Sequence, residues 1–274
     1  MRKLVGQPTS DGAGVRMTRV IGTAVLDHFD PFLLLDEFRS DDPDDYIAGF
    51  PDHPHRGFET VTYMLAGLMK HGDNQGNSGI LRPGSVQWMT AGRGIVHSEM
   101  PQQEDGLMWG FQLWVNLPAS DKMTAPRYQE IPAEGIPELK VTDKVHIRII
   151  AGTLQGVTGP IVDVATEPFY YDVHIAAGGA SEIPTPGSHN AFLYCYDGDI
   201  EVVGAGDARQ TVTRGEIALL GSGAELHARA DVPARFLFVG GLPLNEPIAR
   251  YGPFVMNTAD EIRQAITDYQ AGRL

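Results

Sequence analysis

The chain has 274 residues, 42% of them hydrophobic, with 32 glycines and 19 prolines scattered along it. That exceeds the roughly 100–200 residues of one compact domain, so two domains are expected, with many tight turns between short strands. Its 21 basic and 35 acidic residues leave a formal charge of −14, which repels phosphate backbones and anionic lipid and argues against direct nucleic-acid or membrane binding, though not against a protein partner with a basic face.

The opening Met1–Pro8 has no long apolar segment, and no later run is long enough to span a bilayer, so a cytoplasmic protein is expected. Runs rich in β-branched and aromatic residues then recur between turn residues: Glu59–Leu65, Ser85–Met89, Leu107–Asn116, His146–Ile150, Tyr170–Ile175, Asn190–Tyr196, Asp199–Val203 and Ala234–Val239. Their length and alternation predict an all-β protein of antiparallel sandwiches or small barrels. The Pro- and charge-rich stretch from Pro118 to Val145 reads as the connection between domains 1–130 and 131–274. Cys195, alone in the chain and set in an apolar run, reads as a small buried hydrophobe; it forms no intrachain disulfide, which fits a reducing compartment. Tyr196–Asp199 carries an Asp-Gly pair suited to a hairpin turn. One helix closes the chain. Thr258 and Glu261 make a capping-box pattern, followed by Ile262, Ala265, Ile266 and Tyr269 at helical spacing.

The halves resemble each other weakly. Gly84, Gly92 and His97 have counterparts in Gly215, Gly223 and His227, and His189 is set against His53 and His55. A duplicated fold with one site lost gives such a pattern. Aligned on His227, the residue matching Glu99 is Arg229, whose positive charge opposes a cation, so the second domain is expected to be metal-free.

The chemistry lies in two pairs. His53 and His55 are two residues apart, as are His97 and Glu99, and side chains at that spacing leave one face of a strand. Two such pairs on neighbouring strands form a four-ligand cage. Three imidazoles and a carboxylate suit Fe(II), Ni(II), Cu(II), Mn(II) or Zn(II) rather than Ca(II) or Mg(II). Glu59, four residues after His55, is a rival carboxylate. His28, His71, His146 and His174 lack a paired ligand and read as structural or solvated.

Four stretches, Phe50–Tyr63, Gln87–Pro101, Gln112–Leu117 and Tyr251–Thr258, resemble the pirin family within the cupin superfamily of small β-barrels, and the likeness covers nearly the whole chain. The resemblance implies two stacked cupin barrels, a metal-binding domain 1–130 and a degenerate domain 131–274. It puts the family's ligands on His53, His55, His97 and Glu99, favouring Glu99 over Glu59, although a general cupin pattern sets its glutamate near Glu59. It also implies iron as the metal and an activity like that of quercetin 2,3-dioxygenases, on a small phenolic substrate and dioxygen. In that reading the flavonol's 3-hydroxyl binds the ion, Glu99 takes its proton as general base, and the ring opens with loss of carbon monoxide. Phe50, Phe58, Met89 and Trp114 are the expected apolar lining. The alternative is an iron-dependent, redox-sensitive regulatory module that binds a protein partner, as the family's human member is described. A third reading has another small enolisable compound as the real substrate.

Overall fold

A computed structural model of the chain describes residues 1–103, 105–204, 208–221 and 225–274. They form two compact units, and each is built from two separate stretches of the sequence: residues 1–6 with 134–243, and residues 7–133 with 244–274.

In the unit of residues 7–133 and 244–274, a seven-stranded antiparallel sheet runs in the order Arg127–Ile131, Val86–Thr90, Phe58–Ala66, Met108–Asn116, Phe32–Ser40, Val15–Ile21, Gln7–Asp11. A four-stranded sheet runs Phe50–His55, Ile95–Pro101, Met69–Asp73, Ser78–Leu81. Val15, Met17, Phe38, Met64, Met69 and Met108 belong to one buried apolar cluster of this unit. The helix Ala259–Gln270 starts on Thr258 with both capping-box hydrogen bonds formed, and Ile262 and Ala265 pack on Phe254 and Met256. Tyr269 stays 42% exposed, its ring centre 6.2 Å from that of Phe254, so the helix docks on a narrower stripe than its spacing predicts. Arg56 ties the helix to the segment that follows His55, donating to Asp268 at 2.9 Å.

The other unit repeats the plan. Its seven-stranded sheet runs Arg2–Val5, Glu216–Leu219, Asn190–Asp197, Ala234–Gly241, Phe169–Ile175, Val145–Ala151, Glu138–Thr142, and its four-stranded sheet runs Gly179–Pro184, Glu225–Ala230, Asp199–Val203, Arg209–Thr213. The turn at Asp197 holds Gly198 at φ +68°, where glycine is the favoured residue. Cys195 is fully buried in the apolar core, and burial pushes its thiol up to about 12, which keeps it protonated and unreactive. No helix among the described residues is long and apolar enough to cross a membrane.

The eight expected strands are present, with ends shifted by two residues at most. Other strands escape a composition reading. Phe32–Ser40 buries Asp36 and Glu37 along with its leucines. Arg19 Nε and Nη2 donate to Asp36 at 2.9 and 2.8 Å, and Trp109 Nε1 donates to Glu37 at 2.8 Å, so these acids meet the rule that buried charge is paired. The stretch from Pro118 to Val145 is more than a connection. It supplies Arg127–Ile131 to the edge of one sheet and Glu138–Thr142 to the edge of the other. Edge strands tolerate the charges that made it look irregular, and its prolines, Pro118, Pro126, Pro132 and Pro137, fall outside both strands.

The internal repeat is real in topology but differs in register from the sequence alignment. Gly223 lies outside the described residues. In the first unit Ile95 pairs with His55 and His97 with His53; in the second Leu226 pairs with Ile183 and Ala228 with Ser181. The inward positions matching His53, His55, His97 and Glu99 are therefore Ser181, Ile183, Ala228 and Ala230, all buried. His227 and Arg229 sit one residue off, on the outer face. A slip of one residue exchanges the faces of a strand. His189 is no counterpart of His53 or His55: it precedes Asn190 in a loop and bonds the Glu167 carbonyl at 2.8 Å.

Candidate metal centre

Phe50–His55 is the edge strand of the four-stranded sheet, which is why it accommodates Pro51 and Pro54. Its partner Ile95–Pro101 carries a register shift between His97 and Glu99, where Glu99 comes opposite Phe50. A bulge of this kind re-aims a side chain locally.

The ligand nitrogens of His53, His55 and His97 lie within 4.8 Å of one another. Ring centroids stand 4.7 Å apart for His53 and His55, 4.4 Å for His53 and His97, and 4.9 Å for His55 and His97. His53 Nδ1 donates to the Pro51 carbonyl at 2.9 Å, which leaves the Nε2 lone pair free to point inward, 3.0 Å from His55 Nε2. His97 is 1% exposed, and neither of its ring nitrogens has a hydrogen-bond partner. A buried polar atom left unmet costs about 1–3 kcal/mol. A cation taken by the three imidazoles meets one of the two His97 nitrogens and so lowers that cost, and the donor set fits a divalent transition metal.

Glu99 stands near this trio without joining it. Its carboxylate accepts from Thr62 Oγ1 at 2.9 Å and Gln112 Nε2 at 3.3 Å, and it lines the same cavity as His53 and His55. Burial pushes the Glu99 carboxyl above the ordinary range, against the pull of His53, the Thr62 hydroxyl and His71. Glu59 is buried elsewhere, its carboxylate held by Thr90 Oγ1 at 2.7 Å and absent from the cavity wall. His71 is buried opposite Glu99 on the neighbouring strand and bonds Glu130 at 2.7 Å; it does not join the cluster. His28, His146 and His174 each contact a carboxylate, of Asp27, Glu138 and Asp172 respectively.

The cavity measures about 580 Å³, within the range of small-molecule sites. Phe50 and Trp114 line it as expected, but Phe58 and Met89 do not. Phe58 packs behind Trp114 at 4.4 Å, and Met89 belongs to a core cluster with Ala91 and Ile95. Leu34, Asp36 and Phe38 are lining residues that sequence reading missed; their i, i+2, i+4 spacing on one strand was the available signal.

Burial, reinforced by neighbouring imidazoles, holds His55 and His97 well below their usual pKa. Both therefore stay neutral, the ligand form, at physiological pH. The unfolded chain binds protons to them near 6.5 while the folded chain binds them only at lower pH, so stability is full above about 6.5 and falls as pH drops below it. Metal-free protein unfolded in urea at pH 7.5 and 5.5 is expected to lose up to about 1.4 kcal/mol per pH unit for each histidine, and His97→Gln is expected to flatten that dependence. An unchanged slope would remove the assignment. The second unit offers only Ser181 as a polar side chain at the equivalent inward positions, and its cluster Glu182, Glu225 and His227 lies on the outer face, with both glutamates exposed. One ion per chain is the expected stoichiometry by elemental analysis; two would contradict it.

Residues 14–115 match the family Pirin, and residues 170–274 match the Pirin C-terminal cupin domain. A pirin-like protein of Caulobacter vibrioides is 50% identical over 269 residues, covering 98% of this chain and 96% of its own length. A quercetin 2,3-dioxygenase crystal structure from Acinetobacter baumannii superposes with TM-score 0.91 at 33% identity, covering 100% of this chain and 96% of that one. A bacterial pirin from Escherichia coli, solved with nickel(II), has TM-score 0.68 and 17% identity over 88% of this chain and 99% of its own, a likeness of fold alone. With both family domains in chain order and this extent of identity, the chain belongs to the pirin family, an all-β protein of two cupin domains with one C-terminal helix.

Proposed function

We propose that this chain is a metal-dependent dioxygenase that opens the ring of a flavonol such as quercetin, with one divalent ion, iron(II) first among the candidates, held by His53, His55 and His97 and by Glu99, whose carboxylate would have to turn in from Thr62 and Gln112 to reach it. The observation that carries the reading is the convergence of three imidazoles, two of them, His53 and His55, on the wall of an apolar cavity that also contains a buried carboxylate. The likeness to the Acinetobacter baumannii quercetin 2,3-dioxygenase supports it.

When bound, the ion supplies the Lewis acidity that makes a phenolic hydroxyl acidic near neutral pH, together with the redox capacity needed for dioxygen. The protein's own part is positional and protolytic. His55 and His97, kept neutral by burial, need lose no proton before offering nitrogen to a cation. Glu99 receives the substrate hydroxyl's proton on a carboxylate oxygen. Its raised pKa brings it nearer the working pH, where a general base is most effective. Thr62 and Gln112 fix the carboxylate plane. Leu34, Phe38, Phe50 and Trp114 give a flat polyphenol an apolar seat and keep bulk water from the reacting ring.

The test is aerobic and anaerobic incubation of iron-loaded protein with quercetin. Loss of the flavonol absorbance with release of carbon monoxide, only in air, is the expected result. Turnover that Glu99→Gln leaves unchanged would remove Glu99 as the base, and no ring cleavage with any divalent metal would remove the reaction.

A further inference from the structure

Two arginines reach the wall of the metal cavity, and they differ in what already holds them. Arg19 is already paired: Nε and Nη2 donate to both oxygens of Asp36, and Nη2 also donates to Asp11 at 2.9 Å. Asp11 and Asp36, which share that wall, are thereby committed to Arg19. Arg250 is different. Its Nη1 donates to the Leu33 carbonyl at 3.3 Å, its Cζ lies 5.0 Å from the centre of the Trp114 ring, and among the described residues no carboxylate comes within 4.0 Å of it. Asp27 and Glu246 line a smaller cleft that Arg250 also borders, without pairing to it. A guanidinium offers five donors in a planar fork matched to a carboxylate. Arg250 sits at the rim, exposed enough to be reached, with most of that fork unused.

The placement relative to the centre is equally specific. Trp114 meets His55 edge-on, ring centres 5.3 Å apart, and Arg250 lies over its face. Trp114 thus connects the histidine cluster to the guanidinium along one wall. In a chain of net charge −14, Arg250 feels Asp27, Asp36 and Asp11 through space without pairing to any of them, so its positive charge acts locally at this spot.

We propose that Arg250 is the specificity-determining residue of this cavity, and that the preferred ligand is a flat aromatic carboxylate whose rings lie against Trp114 while its carboxylate is forked by Arg250. This rests on the cavity being the substrate site, as argued above, and it narrows the substrate class; flavonols lacking such a group bind by their rings alone. A charge-assisted fork is stronger than a neutral hydrogen bond and more selective.

The test uses full-length, metal-loaded protein under nitrogen, with tryptophan emission as the signal and two probes of the same ring system, 2-naphthoate and 2-naphthol, at pH 7. Arg250→Gln is expected to weaken 2-naphthoate binding about tenfold to a hundredfold and 2-naphthol less than about twofold. Arg250→Lys is expected to recover part of the loss, and raising the salt to narrow the gap between the probes. Metal content, measured alongside, should not change. An Arg250→Gln protein that binds both probes as the wild type does, or loses both alike, overturns the assignment. Failure of the same wild-type preparation to cleave quercetin counts against the dioxygenase reading alone, while the naphthoate comparison still decides the role of Arg250.

Discussion

Replacing His97 by alanine is expected to abolish metal retention and flavonol turnover together. Changing a residue that merely orients a ligand weakens metal binding about 10–100-fold, and His97 would be a ligand itself, 1% exposed with both ring nitrogens otherwise unmet. A loss of at least about a hundredfold in affinity follows. The change has a second signature. An ion bound only by the folded state stabilises it by about 2.7 kcal/mol at a hundred times its dissociation constant, so added Fe(II) or Ni(II) should raise the melting temperature of wild type and leave His97→Ala unmoved. The metal-free variant should melt close to metal-free wild type, because the imidazole it lacks was buried without a hydrogen bond. If the variant purifies with the wild-type metal content, the three-histidine centre is wrong.

Lys122→Met is expected to be the most damaging change away from the centre. Lys122 is 1% exposed, and its ammonium donates to the Gly57 carbonyl at 2.8 Å, Asn116 Oδ1 at 2.7 Å and the Val255 carbonyl at 3.1 Å. One side chain thus joins the turn after His55, the end of a central strand and the segment before the helix. The turn is itself constrained. Gly57 has φ +88°, and a Cβ there would overlap the Val255 carbonyl. Methionine fills the volume but leaves three buried acceptors unmet, each at about 1–3 kcal/mol before relaxation. A net loss of about 3 kcal/mol is expected, or about 6–12 °C for a unit of this size. Urea unfolding followed by tryptophan emission measures it, and a change below about 1 kcal/mol would mean that water or neighbouring donors replace the ammonium.

The strand pattern was legible where strands are apolar and alternating, as in Asp199–Val203, whose bounds match the reading. It was illegible where strands bury acids against distant partners, as Phe32–Ser40 does with Arg19 and Trp109. Arg250 carried no sequence signal at all. Its meaning comes from Trp114, from Leu33 and from the lack of an ion pair within 4.0 Å among the described residues, none of which is local in the chain.

Donor types and their two-residue spacing are local properties, because strand periodicity needs no partner; the clustering of His53, His55 and His97 could therefore be anticipated in the bare chain, as could the Thr258 cap, whereas the preference for Glu99 over Glu59 came from the family resemblance. Tertiary structure alone decided which strand faces look inward, that the second unit presents Ser181, Ile183, Ala228 and Ala230 where the first presents donors, and that residues 244–274 complete the unit that holds the histidine cluster. Those outcomes depend on register between strands far apart in sequence, where a shift of one residue exchanges interior for surface.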